Sequence, residues 1–272
     1  MQVHRTIQLS SSLELRSSTD TDVGDVSSFR VERFETIDST NSELRRRALD
    51  GRDIDRVVVV ADTQTAGRGR LGRAWVDQPG GSLLFSVGWR APLAASRLSG
   101  LSLAIGVAVA IALEREGIAQ VQLKWPNDLM LRYCKFGGIL VETVNPKDAM
   151  VDVIIGIGIN LVIDGAAKDA VAAPVTSLSE SGWCGERDAL REALLAELAL
   201  MMERFVNEGF GPYRAAWIAR HALQQRNVTI WRSGRPVADG RAVDVDADGA
   251  LLLQTPAGIR RFTSGESTLR AD

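Results

Sequence analysis

The sequence predicts an α+β protein in two parts, a large domain of strands and helices followed by a small β-barrel, and three observations predict it. Val57-Val58-Val59-Val60-Ala61 is a short continuous apolar run, as expected of a strand buried on both faces. Between Asp188 and Asn207, Leu194, Leu195, Leu198, Met201, Met202 and Phe205 recur at helical spacing. Past His221 the texture changes to short strands (228–231, 242–245, 251–253, 259–262) split by Ser233-Gly234, Asp239-Gly240, Asp248-Gly249 and Ala257-Gly258. At 272 residues, with 45% hydrophobic, the chain is long enough for one full core and a second module. We assign residues 1–28 to a disordered leader, 29–222 to the large domain and 223–272 to the barrel.

The elements follow in order. Residues 29–37 alternate in the manner of a strand, and Thr40 as N-cap with Glu43 three residues later predicts a helix to about Asp50. Ser39-Thr40-Asn41 can serve that cap alone or also hydrogen-bond a polar ligand ring. Leu83, Phe85, Val87 and Trp89 mark the next strand, and Leu98 to Leu113 is a buried helix, too short and too rich in Gly and Ser to span a membrane. Val121 to Lys124 leads into the turn Trp125-Pro126-Asn127-Asp128, where Asn127 and Asp128 can satisfy local bonds or meet a base edge, a ribose or a magnesium ion. Leu129 to Arg132 reads as hairpin-like. Lys135-Phe136-Gly137-Gly138-Ile139-Leu140-Val141-Glu142 sets a cation and bare backbone at the mouth of an apolar strand, and Gly156-Ile157-Gly158-Ile159-Asn160 ends another with a face lacking side chains. Residues 174–185 read as loop, and 211–221 as a short helix around Trp217.

Composition narrows the chemistry. A net charge of -2 leaves no global footprint for nucleic acid or a membrane surface, so any basic character in use is local. Two cysteines and two histidines, dispersed along the chain, argue against a zinc site, a disulfide framework and a histidine-based triad, and fit a reducing compartment. The first 28 residues are polar and Ser/Thr-rich and show no signal-peptide core.

The local basic character sits in Gln64-Thr65-Ala66-Gly67-Arg68-Gly69-Arg70-Leu71-Gly72-Arg73-Ala74-Trp75, where arginines alternate with glycines and can wrap an anion. Gly67, Gly69 and Gly72 match a dinucleotide pattern, but Pro79-Gly80-Gly81 follows instead of a helix and no acid stands at the required distance. No Gly-Lys-Ser or Gly-Lys-Thr closes a Walker loop either. A long excursion between strands is usually functional, and this one reads as a phosphate-binding loop, mobile until a ligand orders it.

Taken in order, the Ser39-Thr40-Asn41, Gln64 to Arg73, Lys124 to Asp128, Lys135 to Glu142 and Gly156 to Asn160 motifs resemble those of biotin protein ligases, over about residues 30 to 270. The resemblance implies a catalytic domain with a mixed sheet and flanking helices, related to class II aminoacyl-tRNA synthetases, and an SH3-like barrel. It implies ATP-dependent activation of biotin to biotinyl-5′-AMP with Mg2+, then transfer to a lysine of a biotin carboxyl carrier protein. Lys135 and Arg70 would hold carboxylate and α-phosphate oxygens, and Arg68 the phosphates, as the catalytic cations. Ser39, Thr40 and Gln64 would read the urea, with the Gly67, Arg68 and Gly156 backbones close by and Gly138 against the thioether ring, and Asn41, Gly69, Arg70, Trp75 and Lys135 would complete the biotin site. Trp75 would cover the adenylate, Asn127 and Asn160 would face adenine, and Arg73 and Asp128 would complete the nucleotide site. A fixed protein metal site is not expected, Asp128 being the one candidate for magnesium. A cytoplasmic enzyme, monomer or homodimer, is implied; the polar leader cannot build the DNA-binding domain of the family's repressors. The competing readings are a lipoate-type ligase and a non-catalytic biotin or adenylate sensor.

Overall fold

The computed structural model describes residues 28–271 apart from positions 77, 148, 170, 172, 265 and 266. The leader, Ser28 excepted, lies outside the described residues. The larger sheet holds β1 (Arg30–Ile37), β2 (Val57–Gln64), β3 (Ser82–Ala91), β4 (Gln122–Lys124), β5 (Asp128–Leu131), β6 (Cys134–Lys147) and β7 (Met150–Asn160). Its spatial order is β1-β2-β3-β7-β6-β5-β4, with β1 and β2 parallel and every other pair antiparallel, so the sheet is mixed.

The apolar run of β2 is explained by helices on both faces. Val58 and Val60 join the main core with α2 (Leu101–Arg115) and α4 (Arg187–Glu208), while Val57 and Val59 pack with Leu44 and Ala48 of α1 (Thr40–Leu49). Helix α2 lacks a polar face because sheet and α4 enclose it. Phe205, Leu194 and Met202 of α4 are at most 1% exposed, and burial of each such side chain stabilises the fold by roughly 1.5–3 kcal/mol. Helix α1 starts one residue earlier than the capping-box reading predicts. Ser39, at φ -161°, is the N-cap and accepts from the Ser42 N–H at 3.5 Å, which leaves Thr40 inside the helix with its hydroxyl free for other partners. Glu43 turns away from the cap to bind Arg46 and Arg47.

After β7 come α3 (Gly165–Asp169), which the sequence reading missed, and the predicted loop, with one 3-10 turn at Ser179–Ser181. Helix α5 (Arg214–Arg220) follows a 3-10 turn over Gly211–Tyr213. The C-terminal part is an antiparallel five-stranded sheet in the order β11-β10-β9-β8-β12: β8 (Asn227–Arg232), β9 (Arg235–Val245), β10 (Leu251–Thr255), β11 (Gly258–Phe262) and β12 (Ser267–Ala271). Asp239-Gly240 is not a turn. It lies inside β9, where a Cβ on Gly240 would stand 2.6 Å from the Gln254 carbonyl oxygen, so glycine there permits close strand approach. The strand β12 was not foreseen.

The two sheets meet around His221. Its ring stacks on Trp217 at 4.6 Å, Nδ1 lies 3.2 Å from Gln224 Oε1, and Gln224 Nε2 donates to the Val243 carbonyl at 2.7 Å. Nε2 is buried without a hydrogen-bond partner among the described residues. Burial lowers this imidazole from 6.5 to about 4, with Gln224 opposing the shift. The folded-state value lies below the unfolded one, so the contribution is fully present above pH 6.5 and is lost as pH falls toward 4, where the unfolded chain takes up a proton that the folded chain refuses. The loss should reach ~3 kcal/mol. Urea unfolding at pH 7 and pH 4.5 is expected to show it, and His221→Gln should flatten that difference; an unchanged slope in the variant contradicts the assignment.

Candidate active site

Register places two rows of residues on the α1 face of the sheet. Ser86, Gly156 and Leu140 stand side by side across β3, β7 and β6, and Leu84, Gly158, Gly138 and Asp128 form the next row, ending on β5. The second row has two adjacent glycines, and the space they leave is part of a cavity of about 810 Å³. The alternating glycines and isoleucines of β7 thus separate a bare floor from a packed core. Part of that bare floor is covered by the protein itself. A Cβ on Gly156 would stand 2.1 Å from Asn41 Oδ1, and one on Gly158 would stand 2.8 Å from the Trp75 ring.

The start of α1 brings Ser39, Thr40 and Asn41 to one end of the cavity, where Gln64 ends β2. Gln64 Oε1 accepts from the Thr40 N–H at 2.8 Å, and Thr40 Oγ1 lies 2.7 Å from Ser86 Oγ. This end is uncharged.

The Arg/Gly stretch closes over the middle. Trp75 N–H donates to the Gly67 carbonyl at 2.9 Å and Gly69 N–H to the Arg73 carbonyl at 2.7 Å, around a turn at Arg70–Gly72 in which Leu71 takes φ 58°. The loop is therefore a paired hairpin, more organised than its glycine content suggests. Gly67 is buried beneath it and does not line the cavity; a Cβ there would lie 2.9 Å from the Trp75 carbonyl oxygen. The Trp75 indole rests on Gly158 and Gly138, and its Nε1 is buried without a partner among the described residues.

The far end is cationic. Arg70, Arg73, Lys124 and Lys135 line it, Arg68 lying instead with Glu142 toward the Asn41 side, and Asp128 is the acid on the described wall. Lys135 Nζ is 2.6 Å and Lys124 Nζ 3.7 Å from the Asp128 carboxylate. Burial pushes the Lys124 ammonium below its ordinary value against the opposing pull of Asp128, and burial likewise lowers the Arg70 guanidinium. Both cations are thus held where water solvates them poorly, a setting in which an incoming anion is strongly favoured. Arg70 Nη1 donates to Asn127 Oδ1 at 3.3 Å, Asn127 Nδ2 donates to the Ile139 carbonyl at 2.8 Å, and Arg70 Nη2 reaches the Ser264 carbonyl of the C-terminal part.

Two further site expectations, besides Gly67, land differently. Asn160 does not line the cavity: its amide donates to the Thr176 carbonyl at 3.1 Å and pins the segment after β7. Arg68 gives its guanidinium to Glu142, with Nη1 and Nη2 at 3.1 and 2.9 Å from the two carboxylate oxygens. The sequence reading missed Lys124, Ser86, Leu269 and Ser264. Lys124 pairs in register with Asp128, and Ser86 is a lone hydroxyl near the centre of an apolar strand, a signal that could have been read. The contributions of Ser264 and Leu269 had no signal in the sequence.

This geometry has known counterparts. Residues 34–160 match the model of the biotin/lipoate A/B protein ligase family, and residues 226–269 that of the biotin protein ligase C-terminal domain. A biotin–[acetyl-CoA-carboxylase] ligase of Paracoccus denitrificans is 34% identical over 237 residues, covering 84% of this chain and 96% of that one. The chain belongs to the biotin protein ligase family. Another relative of this ligase, the bifunctional ligase/repressor BirA of Salmonella typhimurium, is 35% identical over 235 residues, which are 86% of the ligase and 72% of BirA. The biotin protein ligase of Aquifex aeolicus, solved with biotin and ATP, superposes with a TM-score of 0.75 at 30% identity, over 89% of this ligase and 99% of that chain.

Proposed function

We propose that the cavity is where this ATP-dependent biotin protein ligase first joins biotin to AMP and then releases it onto a carrier lysine. The carrying observation is that one continuous cavity has an uncharged hydrogen-bonding end at Thr40 and Gln64 and a cationic end at Arg70, Lys124 and Lys135. Biotin has the same polarity, a urea at one end and a carboxylate at the other. With its urea at Ser39, Thr40 and Gln64, its carboxylate arrives among the cations, and its ring takes the glycine floor at Gly138 once the Trp75 indole, which rests there, moves aside.

In the first step a carboxylate oxygen attacks the α-phosphorus of ATP; a new P–O bond forms, the bond to the β-phosphate oxygen breaks, and pyrophosphate leaves. Both reactants are anions, so the site acts through positioning and charge neutralisation rather than through an acid or base. Lys135 and Arg70 are assigned to the carboxylate and α-phosphate oxygens, and Lys124 and Arg73 to the same field. Arg68 is better read as the anchor of the loop than as a phosphate ligand, because its guanidinium is committed to Glu142. In the second step a neutral lysine amine of the carrier attacks the acyl carbon, AMP leaves and the amine loses a proton. Trp75 is assigned as the cover of the adenylate, keeping water from the anhydride, and Asn127 as the side chain nearest the base.

Asp128 does not suit a magnesium ion, since its oxygens already face two ammonium groups. Any Mg2+ in the reaction would enter with the phosphates of ATP as part of the substrate. The mixed sheet with helices on both faces supports a relation to class II aminoacyl-tRNA synthetases, and the antiparallel C-terminal sheet supports an SH3-like module divided from the catalytic domain near residues 222–226. Cys134 and Cys184 are free thiols, which supports a cytoplasmic setting; no helix among the described residues is long and apolar enough to cross a membrane. The acceptor is assigned as a biotin carboxyl carrier domain. Calorimetric titration with biotin and with lipoate tests the pocket: saturable binding of biotin without lipoate supports it, and the reverse preference overturns it.

A further inference from the structure

Lys135 sits where β6 outruns its neighbour. Pairing of β6 with β7 begins at Gly137, opposite Ile159, and β7 ends at the next residue, Asn160. Two residues before that pairing, the backbone of Lys135 turns to a segment from beyond α3. Val175 stands opposite it in a parallel bridge: the Lys135 N–H donates to the Pro174 carbonyl at 2.9 Å, and the Lys135 carbonyl accepts from the Thr176 N–H at 2.9 Å. With Met130 of β5 on the other side, the start of β6 is clamped between two neighbours. The segment is in turn held by Asn160. Strand alternation puts this side chain on the face of Gly156 and Gly158, yet it is 8% exposed and does not line the cavity. Its Nδ2 donates to the Thr176 carbonyl at 3.1 Å, and its backbone carbonyl accepts from the Leu178 N–H at 2.9 Å. Thr176 therefore spends its N–H on Lys135, its carbonyl on Asn160 and its hydroxyl on Glu180 at 2.8 Å. One residue joins the end of β7 to the cation that faces Asp128.

We propose that Asn160 is a positioning residue: through Thr176 it fixes the backbone from which Lys135 reaches the reacting oxygens, and it does not read the adenine base. The inference rests on the reading that Lys135 serves the adenylation step. Without the amide the segment loses its grip beside Lys135, and the ammonium no longer waits in one place for the charge that develops. A misplacement of about 1 Å from a change far from the chemistry can cost on the order of a hundredfold in rate. Substrate binding elsewhere in the cavity is untouched by this route.

The test is biotin-dependent pyrophosphate release, measured against ATP and against GTP, with biotin affinity by calorimetry and thermal melting as controls. Folded Asn160→Ala should lose about tenfold to a hundredfold in kcat, while the KM for ATP, the preference for ATP over GTP and the affinity for biotin stay close to wild type. Asn160→Asp, of the same size, sets an acceptor against the Thr176 carbonyl and should lose as much. The deciding variant is the double one: in a Lys135→Ala background, Asn160→Ala should lower the residual rate by no more than about twofold, because the residue it acts through is gone. A raised KM for ATP with a lost preference over GTP makes Asn160 a reader of the base and overturns the proposal, as does a full further loss in the double variant. If Lys135→Ala itself turns over normally, the reading of the cavity fails first and the proposal falls with it.

Discussion

Replacing Lys135 with alanine is expected to lower biotin-dependent pyrophosphate release by about two to three orders of magnitude, the loss associated with one preorganised charge partner of a reacting oxygen. The reason lies in how Lys135 is held. It emerges at the start of β6, its Nζ is 2.6 Å from Asp128 and 3.4 Å from the Cβ position of Gly138, and the Trp75 ring lies 5.7 Å away. A cation fixed against the floor by a carboxylate need not reorganise when an anion forms beside it. Lys124 shares the same carboxylate but stands farther from it, at 3.7 Å, so Lys124→Ala should cost less. Biotin affinity in Lys135→Ala should fall far less than turnover, because one carboxylate contact is lost while the urea contacts remain. A loss below tenfold in pyrophosphate release, in a folded variant, would remove Lys135 from the reacting centre.

Gly156→Ala should weaken biotin binding sharply while leaving the protein folded but less stable. The added methyl would fall 2.1 Å from Asn41 Oδ1, and Asn41 cannot yield without cost because Ser86 and Glu142 hold both ends of its amide. Overpacking of a fixed polar group together with the loss of its hydrogen bonds is expected to cost about 3 kcal/mol of folding stability, and the displacement of Asn41 and its neighbours at the cavity end should weaken biotin about tenfold to a hundredfold. Gly158→Ala is the control. Its neighbour is the Trp75 ring, carried on the loop and able to shift, so the same one-carbon change should cost much less. Calorimetry on the two variants decides the matter, and equal losses would contradict the role given to Asn41.

Much of this was legible in the sequence because backbone and chemistry made the same demands. The valines of β2 announce a strand buried on both faces, and the glycines of β7 announce a bare floor. The Arg/Gly loop, the Trp125-Pro126-Asn127-Asp128 turn and Lys135 all reach one cavity, as their residue types suggested. What stayed hidden depends on register and on contacts between distant segments. Nothing local says that Ser86 stands beside Gly156, or that Glu142 reaches both Asn41 and Arg68. An arginine among glycines advertises its charge and not its partner, so the pairing of Arg68 with Glu142 had no local signal. The choice of Ser39 over Thr40 as N-cap turned on one φ angle, and it matters, because it frees the Thr40 hydroxyl for Ser86. Asp239-Gly240 imitates a turn by composition, whereas its glycine serves close approach inside β9.

One cavity is expected to activate biotin with ATP and to pass it to a protein lysine. This is tested most directly by incubating the protein with labelled biotin, ATP, magnesium and a purified biotin carrier domain, and measuring label on the carrier lysine. Stoichiometric transfer that requires ATP and collapses in Lys135→Ala is expected. Binding of biotin without transfer, or transfer of lipoate in its place, would contradict it.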